Sequence, residues 1–226
     1  VAPSGPDSRP APEPQEPPIL EGKMLEAAEA VFGDNLDLAR AYVGHLASSG
    51  IVRGLIGPRE VPRLWERHVL NCAVVESLIP RDARVADVGS GAGLPGLCLA
   101  LARPDISITL IEPLERRVTW LEEVVQDLQL GNVQILRTRG EQARDQLGGV
   151  DVVTARAVSA LTGLLDITLP LLDGDGQLLA LKGRSAQAEI DKAQKKLKRW
   201  KADRTEILTV GQDLLDEPTT VVRVSL

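Results

Sequence analysis

With 226 residues the chain has room for one α/β domain and a small extension, and 43% hydrophobic with 26% charged residues is a globular composition. A net charge of −6 argues against a generally sticky nucleic-acid binder, so any RNA contact must use a local basic surface. No apolar run is long enough to span a membrane and no basic-then-apolar signal segment opens the chain, so a soluble, cytoplasmic protein is expected.

Residues 1–18 hold seven of the fifteen prolines and almost no large apolar side chains, which predicts a disordered tail. Residues 19–80 read as a helical cap. Leu20, Met24, Ala27, Ala28 and Val31 recur at helical spacing, then Leu36, Leu38, Ala41, Val43 and Leu46. A third helix, starting near Pro62, is expected to turn Leu64, Trp65, His68, Val69, Cys72 and Val75 inward. Cys72 and Cys98 lie in apolar, helix-like surroundings, which suits buried free thiols rather than a disulfide or a metal site. From residue 81 onward strands and helices alternate. Strands are predicted at 84–88, 107–111, 133–137, 150–155, 176–181, 203–210 and 219–225, with helices at 94–103, 115–129, 141–147, 159–172 and 185–200. Short connections imply parallel strands with right-handed crossovers. The last two strands have only the link 211–218 between them, so they pair as an antiparallel hairpin. The expected fold is α/β, a seven-stranded mostly parallel sheet with an antiparallel last strand.

The most informative stretch is Val85 to Leu97, where an apolar run ending in an acid meets glycines at alternate positions, Gly89, Gly91 and Gly93. Glycine lets backbone pass close to a ligand, and the following helix is expected to offer free N–H groups there. Gly91-x-Gly93-x-x-Gly96 formally fits a dinucleotide fingerprint, whereas Asp87-x-Gly89-x-Gly91-x-Gly93 fits the glycine loop of S-adenosyl-L-methionine (AdoMet) methyltransferases. Register favours the second. The first glycine should follow the strand directly, and with Gly89 in that place the third dinucleotide glycine falls on Leu94. Asp87 also suits a cofactor carrying a cationic ammonium and sulfonium. The whole arrangement resembles the class I AdoMet-dependent methyltransferase fold.

Ligands of open α/β sheets bind at the carboxyl ends of strands. Those ends supply Asp87 with the loop Gly89 to Leu94, then Glu112 placed for a ribose diol, and Gly140 with Glu141 for an adenine edge. Arg156 and Lys182 close the fourth and fifth strands. After the fourth strand stands Thr154-Ala155-Arg156-Ala157, not the Asn/Asp-Pro-Pro-aromatic box used on exocyclic amines, and neither cysteine lies at a strand end. No catalytic side chain is assigned. A ring nitrogen such as guanine N7 needs neither device, because it carries an in-plane lone pair and no proton, so positioning and electrostatics suffice.

Leu64-Trp65-Glu66-Arg67-His68, Asp87-Val88-Gly89-Ser90-Gly91-Ala92-Gly93-Leu94-Pro95-Gly96, Glu112-Pro113-Leu114 with Arg116-Arg117, Ala155-Arg156-Ala157 and Ala180-Leu181-Lys182-Gly183 occur in that order. Together they resemble the bacterial family that methylates guanine N7 in 16S ribosomal RNA, the glucose-inhibited division protein B family. The resemblance implies that Gly89, Leu94, Gly140, Glu141 and Arg156 line the AdoMet site. It also implies 16S rRNA or the small ribosomal subunit as partner; a monomer is expected. For RNA contact the candidates are Arg63, Arg67, His68 and Lys182. Arg59, Arg63 and Arg67 lie four apart, on one face if the stretch is helical; a second basic cluster runs from Lys192 to Lys201. Two rivals stand beside this reading, a nicotinamide-dependent oxidoreductase and a non-catalytic ribosome assembly factor.

Overall fold

The computed structural model describes residues 12–226, so most of the expected disordered tail lies outside the described residues. Residues 12–21 carry no regular element, and Gln15 N–H donates to Ala47 O at 2.9 Å. Seven strands follow the predicted positions closely: β1 Arg84–Val88, β2 Ser107–Ile111, β3 Val133–Leu136, β4 Val150–Arg156, β5 Leu172–Lys182, β6 Arg204–Val210 and β7 Thr219–Ser225. They form one sheet in the order β3-β2-β1-β4-β5-β7-β6. β7 is antiparallel to both neighbours, and the pairings among β1 to β5 are parallel.

The helices are α1 Gly22–Phe32, α2 Leu36–His45, α3 Asn71–Ala73, α4 Gly96–Ala102, α5 Glu115–Asp127, α6 Arg144–Leu147, α7 Leu161–Thr168 and α8 Ala186–Arg199. None of the helices among the described residues is long and apolar enough to cross a membrane. Period-two alternation assigns each strand residue to one side of the sheet. Val85, Leu179, Leu181 and Val221 pack with Ala28, Tyr42, Leu46, Trp65 and Leu97. Ala86, Val88, Leu178, Ala180 and Val222 pack with Leu161, Leu165, Ala193 and Leu197. A sheet covered on both faces explains why β1, β4 and β5 read as nearly continuous apolar runs.

Four expectations need correction. β5 begins at Leu172 rather than 176, because its pairing with β4 shifts between Val150 and Val152 and a bulge absorbs Asp173-Gly174-Asp175-Gly176. The helix expected over 159–172 therefore shortens to α7 and one further tight turn. In the cap, Met24 and Ala41 face outward, while Phe32, Ala39 and Tyr42 are buried. Residues 58–63 form tight three-residue turns and 64–70 wide π-type turns, so no single α-helix begins near Pro62. The six residues expected inward from Leu64 to Val75 are nonetheless all buried.

Candidate active site

Strand order reverses between β1 and β4, the topological point at which open α/β sheets leave a crevice beyond their carboxyl ends. Gly89, Gly91 and Gly93 occupy it with φ of 71°, 57° and 83°, a region that strains any side chain. Most loop amides are satisfied internally. Gly89 N–H and Ser90 N–H donate to Ile111 O (2.9 and 3.2 Å), and Gly93 N–H and Leu94 N–H to Ser90 O (2.7 and 3.1 Å). α4 starts only at Gly96, whose N–H goes to Asp87 Oδ2 at 3.2 Å. The loop thus offers close approach to backbone rather than the row of free helix N–H groups expected from sequence.

Asp87 lies beneath this loop, fully buried. Its Oδ1 accepts from Thr154 Oγ1 at 2.9 Å, and Ser90 Oγ donates to the Asp87 carbonyl at 2.9 Å. It therefore holds the loop from below, which differs from the direct contact with a cationic ligand suggested by sequence. Burial raises its carboxyl to about 6 despite those hydrogen bonds. The folded value exceeds the unfolded one, so the neutral acid is favoured at low pH and that stabilisation is lost as pH rises through about 6. Asp87→Asn should accordingly gain stability relative to the parent between pH 4 and 7.5, by about 3 kcal/mol at most. Urea titrations at both pH values check this; a pH-independent difference contradicts it.

Glu112 directly follows β2 and is 1% exposed. Its Oε2 accepts from Gly91 N–H at 3.0 Å and stands 3.4 Å from Arg117 Nη1, while Oε1 accepts from Leu114 N–H at 3.0 Å. A carboxylate has about four acceptor positions, so capacity remains for a hydroxyl. Gly89, Ser90, Gly91, Ala92 and Leu94 line a cavity of about 230 Å³ together with Arg117 and Arg156. Arg156, half-buried at the end of β4, donates from Nη2 to His68 Nδ1 at 2.7 Å and from Nη1 to Cys72 Sγ at 2.9 Å. His68 Nε2 faces Glu60 Oε2 at 2.8 Å. Arg156 and Ala157 also border a larger cavity of about 1140 Å³, together with Arg67, Lys182, Arg184 and Glu217.

Several sequence candidates take different places. His68 is only 9% exposed with both ring nitrogens engaged, so it does not share the outer face of Arg63 and Arg67, which are exposed. Lys182 is not a free cation: Nζ pairs with Glu189 Oε2 at 2.9 Å and donates to Ser159 O at 2.7 Å. Gly140 is buried, and a Cβ there would lie 2.4 Å from Ile167 Cγ2; neither it nor the exposed Glu141 borders the two cavities. Two residues at the site are not among the sequence candidates. Tyr42 reaches from α2 to donate to Ala92 O at 2.6 Å, and its only signal is being the sole tyrosine of the chain. Arg117 lines the smaller cavity, and its signal is its place just after Glu112-Pro113-Leu114.

Residues 35–216 match the family model described as GidB, rRNA small subunit methyltransferase G. The chain belongs to this family. It is 67% identical over 202 residues to "Ribosomal RNA small subunit methyltransferase G" of Renibacterium salmoninarum, covering 89% of this chain and 94% of that protein. It is 66% identical over 200 residues to the protein of the same name from Pseudarthrobacter chlorophenolicus, covering 88% and 92%. A solved SAM-dependent methyltransferase from Aquifex aeolicus superposes with a TM-score of 0.53 at 18% identity, over 75% of this chain and 98% of that one. That likeness carries the fold, which is the class I methyltransferase fold. The rRNA small subunit methyltransferase G match spans Glu60, His68, the glycine loop, Glu112, Arg156 and Lys182, and stops short of β7.

Proposed function

We propose that the chain transfers a methyl group from AdoMet to N7 of a guanine in 16S rRNA of the small ribosomal subunit. The observation that carries the N7 assignment is the end of β4. Opposite the glycine loop stand Thr154, already given to Asp87, and Arg156, bonded to His68 and Cys72, with no carboxylate, amide or exposed thiol among them. N7 asks for none of these groups, because no proton leaves it. The residues fit the cofactor. Gly91 faces open space, since a Cβ there would meet nothing nearer than 3.8 Å. Glu112 has acceptor capacity for ribose hydroxyls, and Arg156 has the charge to pair with the methionine carboxylate. When bound, AdoMet supplies an electrophilic methyl on a sulfonium. Asp87 and Tyr42 fix the glycine loop that would hold it, and Leu94, which lines the smaller cavity, would offer it an apolar surface. Residues 19–80 then act as a cap on the catalytic domain at 81–226, and the protein works as a cytoplasmic monomer on ribosomal particles.

Positioning without a general base makes the single-turnover rate level above neutrality, at saturating cofactor and substrate. A tenfold rise per pH unit between about pH 7 and 8 would instead indicate removal of a proton from an exocyclic amine.

N7 of a paired guanine faces the deep, narrow major groove of A-form RNA, so the target is an unpaired or exposed guanine. Arg63 and Arg67 are exposed, and Arg67 borders the larger cavity. Replacing both by Gln is expected to flatten the salt dependence of RNA binding by about two phosphate contacts. AdoMet affinity should stay unchanged in calorimetry. An unaltered slope would assign RNA contact elsewhere, the exposed Lys192, Lys195, Lys198 and Arg199 of α8 being next in line.

A further inference from the structure

Among the described residues, Arg156 is the one cation common to both cavities, so its orientation decides which of them its charge serves. A guanidinium only donates and stays protonated. The 2.7 Å approach of Nη2 to His68 Nδ1 therefore requires a lone pair on that nitrogen. The ring proton must then sit on Nε2, aimed at Glu60 Oε2 at 2.8 Å. The geometry points to a new role for His68. We propose that it is a positioning residue, held as one neutral tautomer by Glu60, that fixes the Arg156 guanidinium at the seam between the cavities. This rests on the assignment of Arg156 to the cofactor made above.

The surroundings agree. Burial lowers the basicity of His68, and Arg156 and Arg67 add to that, against the opposing pull of Glu60. Cys72, Cys98 and Tyr42, all buried, also lie near the guanidinium; Cys72 Sγ takes an N–H from Nη1 at 2.9 Å, and the same nitrogen stands 3.5 Å from His68 O. Protonating Nδ1 would set an N–H against an N–H and release Arg156. Glu60, which accepts the Nε2 proton, is held below the ordinary carboxylate range by that hydrogen bond.

The test uses the full chain, whose only histidines are His45 and His68. In ring-¹⁵N-labelled protein, His68 should show a bare Nδ1 and a protonated Nε2 at neutral pH. Arg156→Ala should raise its titration midpoint by at least about half a pH unit. In calorimetry His68→Ala should weaken AdoMet binding at least tenfold when Arg156 is present and add little in the Arg156→Ala background. His68→Asn, which returns an acceptor near the Nδ1 position, should recover most of the loss. A proton on Nδ1, equal losses in both backgrounds, or an Asn variant as weak as the Ala variant with an unchanged Tm would each overturn the proposal. If the parent binds AdoMet and obeys this pattern yet methylates no RNA, the proposed function falls while the role of His68 stands.

Discussion

Gly89→Val should lower AdoMet affinity at least tenfold, about 1.4 kcal/mol, while the protein remains folded. Two independent features lead to this. Gly89 has φ of 71°, which a β-branched residue adopts only under strain. A Cβ there would also lie 2.8 Å from Val158 Cγ2, within the loop that follows β4. Val158 is 38% exposed, so it is free to shift outward, and the collision disturbs the cofactor crevice more than the core. Calorimetry with AdoMet, with circular dichroism to check folding, reads the effect. Unchanged affinity would remove Gly89 from the site.

Gly96→Ala should destabilise the protein, although alanine normally favours a helix over glycine by about 1 kcal/mol. At the first residue of α4, an added Cβ would sit 2.3 Å from Leu110 Cδ2 and 2.7 Å from Asp87 Oδ2. Leu110 is fully buried in β2 and Asp87 is fixed by Thr154, so neither has room to withdraw. Overpacking of this kind costs about 1–3 kcal/mol, on top of the lost helix gain. Gly131→Ala, with nothing within 4 Å of its Cβ, is the control and should move stability by less than about 0.5 kcal/mol. A neutral or stabilising Gly96→Ala in urea titration would mean that α4 does not pack on β1 and β2 this closely.

The sheet was readable because its signals are local. Apolar runs of strand length, each followed by a helical period, place β1 to β5 within a few residues. The eight-residue link at 211–218 forces the antiparallel return of β7. The early start of β5 was hidden because Asp173-Gly174-Asp175-Gly176 carries turn chemistry, and only pairing with β4 turns it into a bulge. The glycine loop was equally legible, since alternate glycines after an acid state a backbone requirement. What the loop does with its amides was not, because Ile111 O and Glu112 stand at the end of β2 and just beyond it, far from the loop in sequence. His68 and Lys182 show the same limit. Sequence places each beside basic or glycine neighbours, but their partners Arg156 and Glu189 arrive through the tertiary fold. Whether Arg63, Arg67 and His68 share a face depends on the tight and wide turns of 58–70, which spacing of four does not foresee.

The measurement that bears most directly on this account is methyl transfer from labelled AdoMet to small ribosomal subunits lacking the modification, followed by mapping of the labelled atom. Label is expected on N7 of a single guanine of 16S rRNA, and none on subunits already modified there. Label on an exocyclic amine or a ring carbon, or no transfer by protein that binds AdoMet, would contradict it.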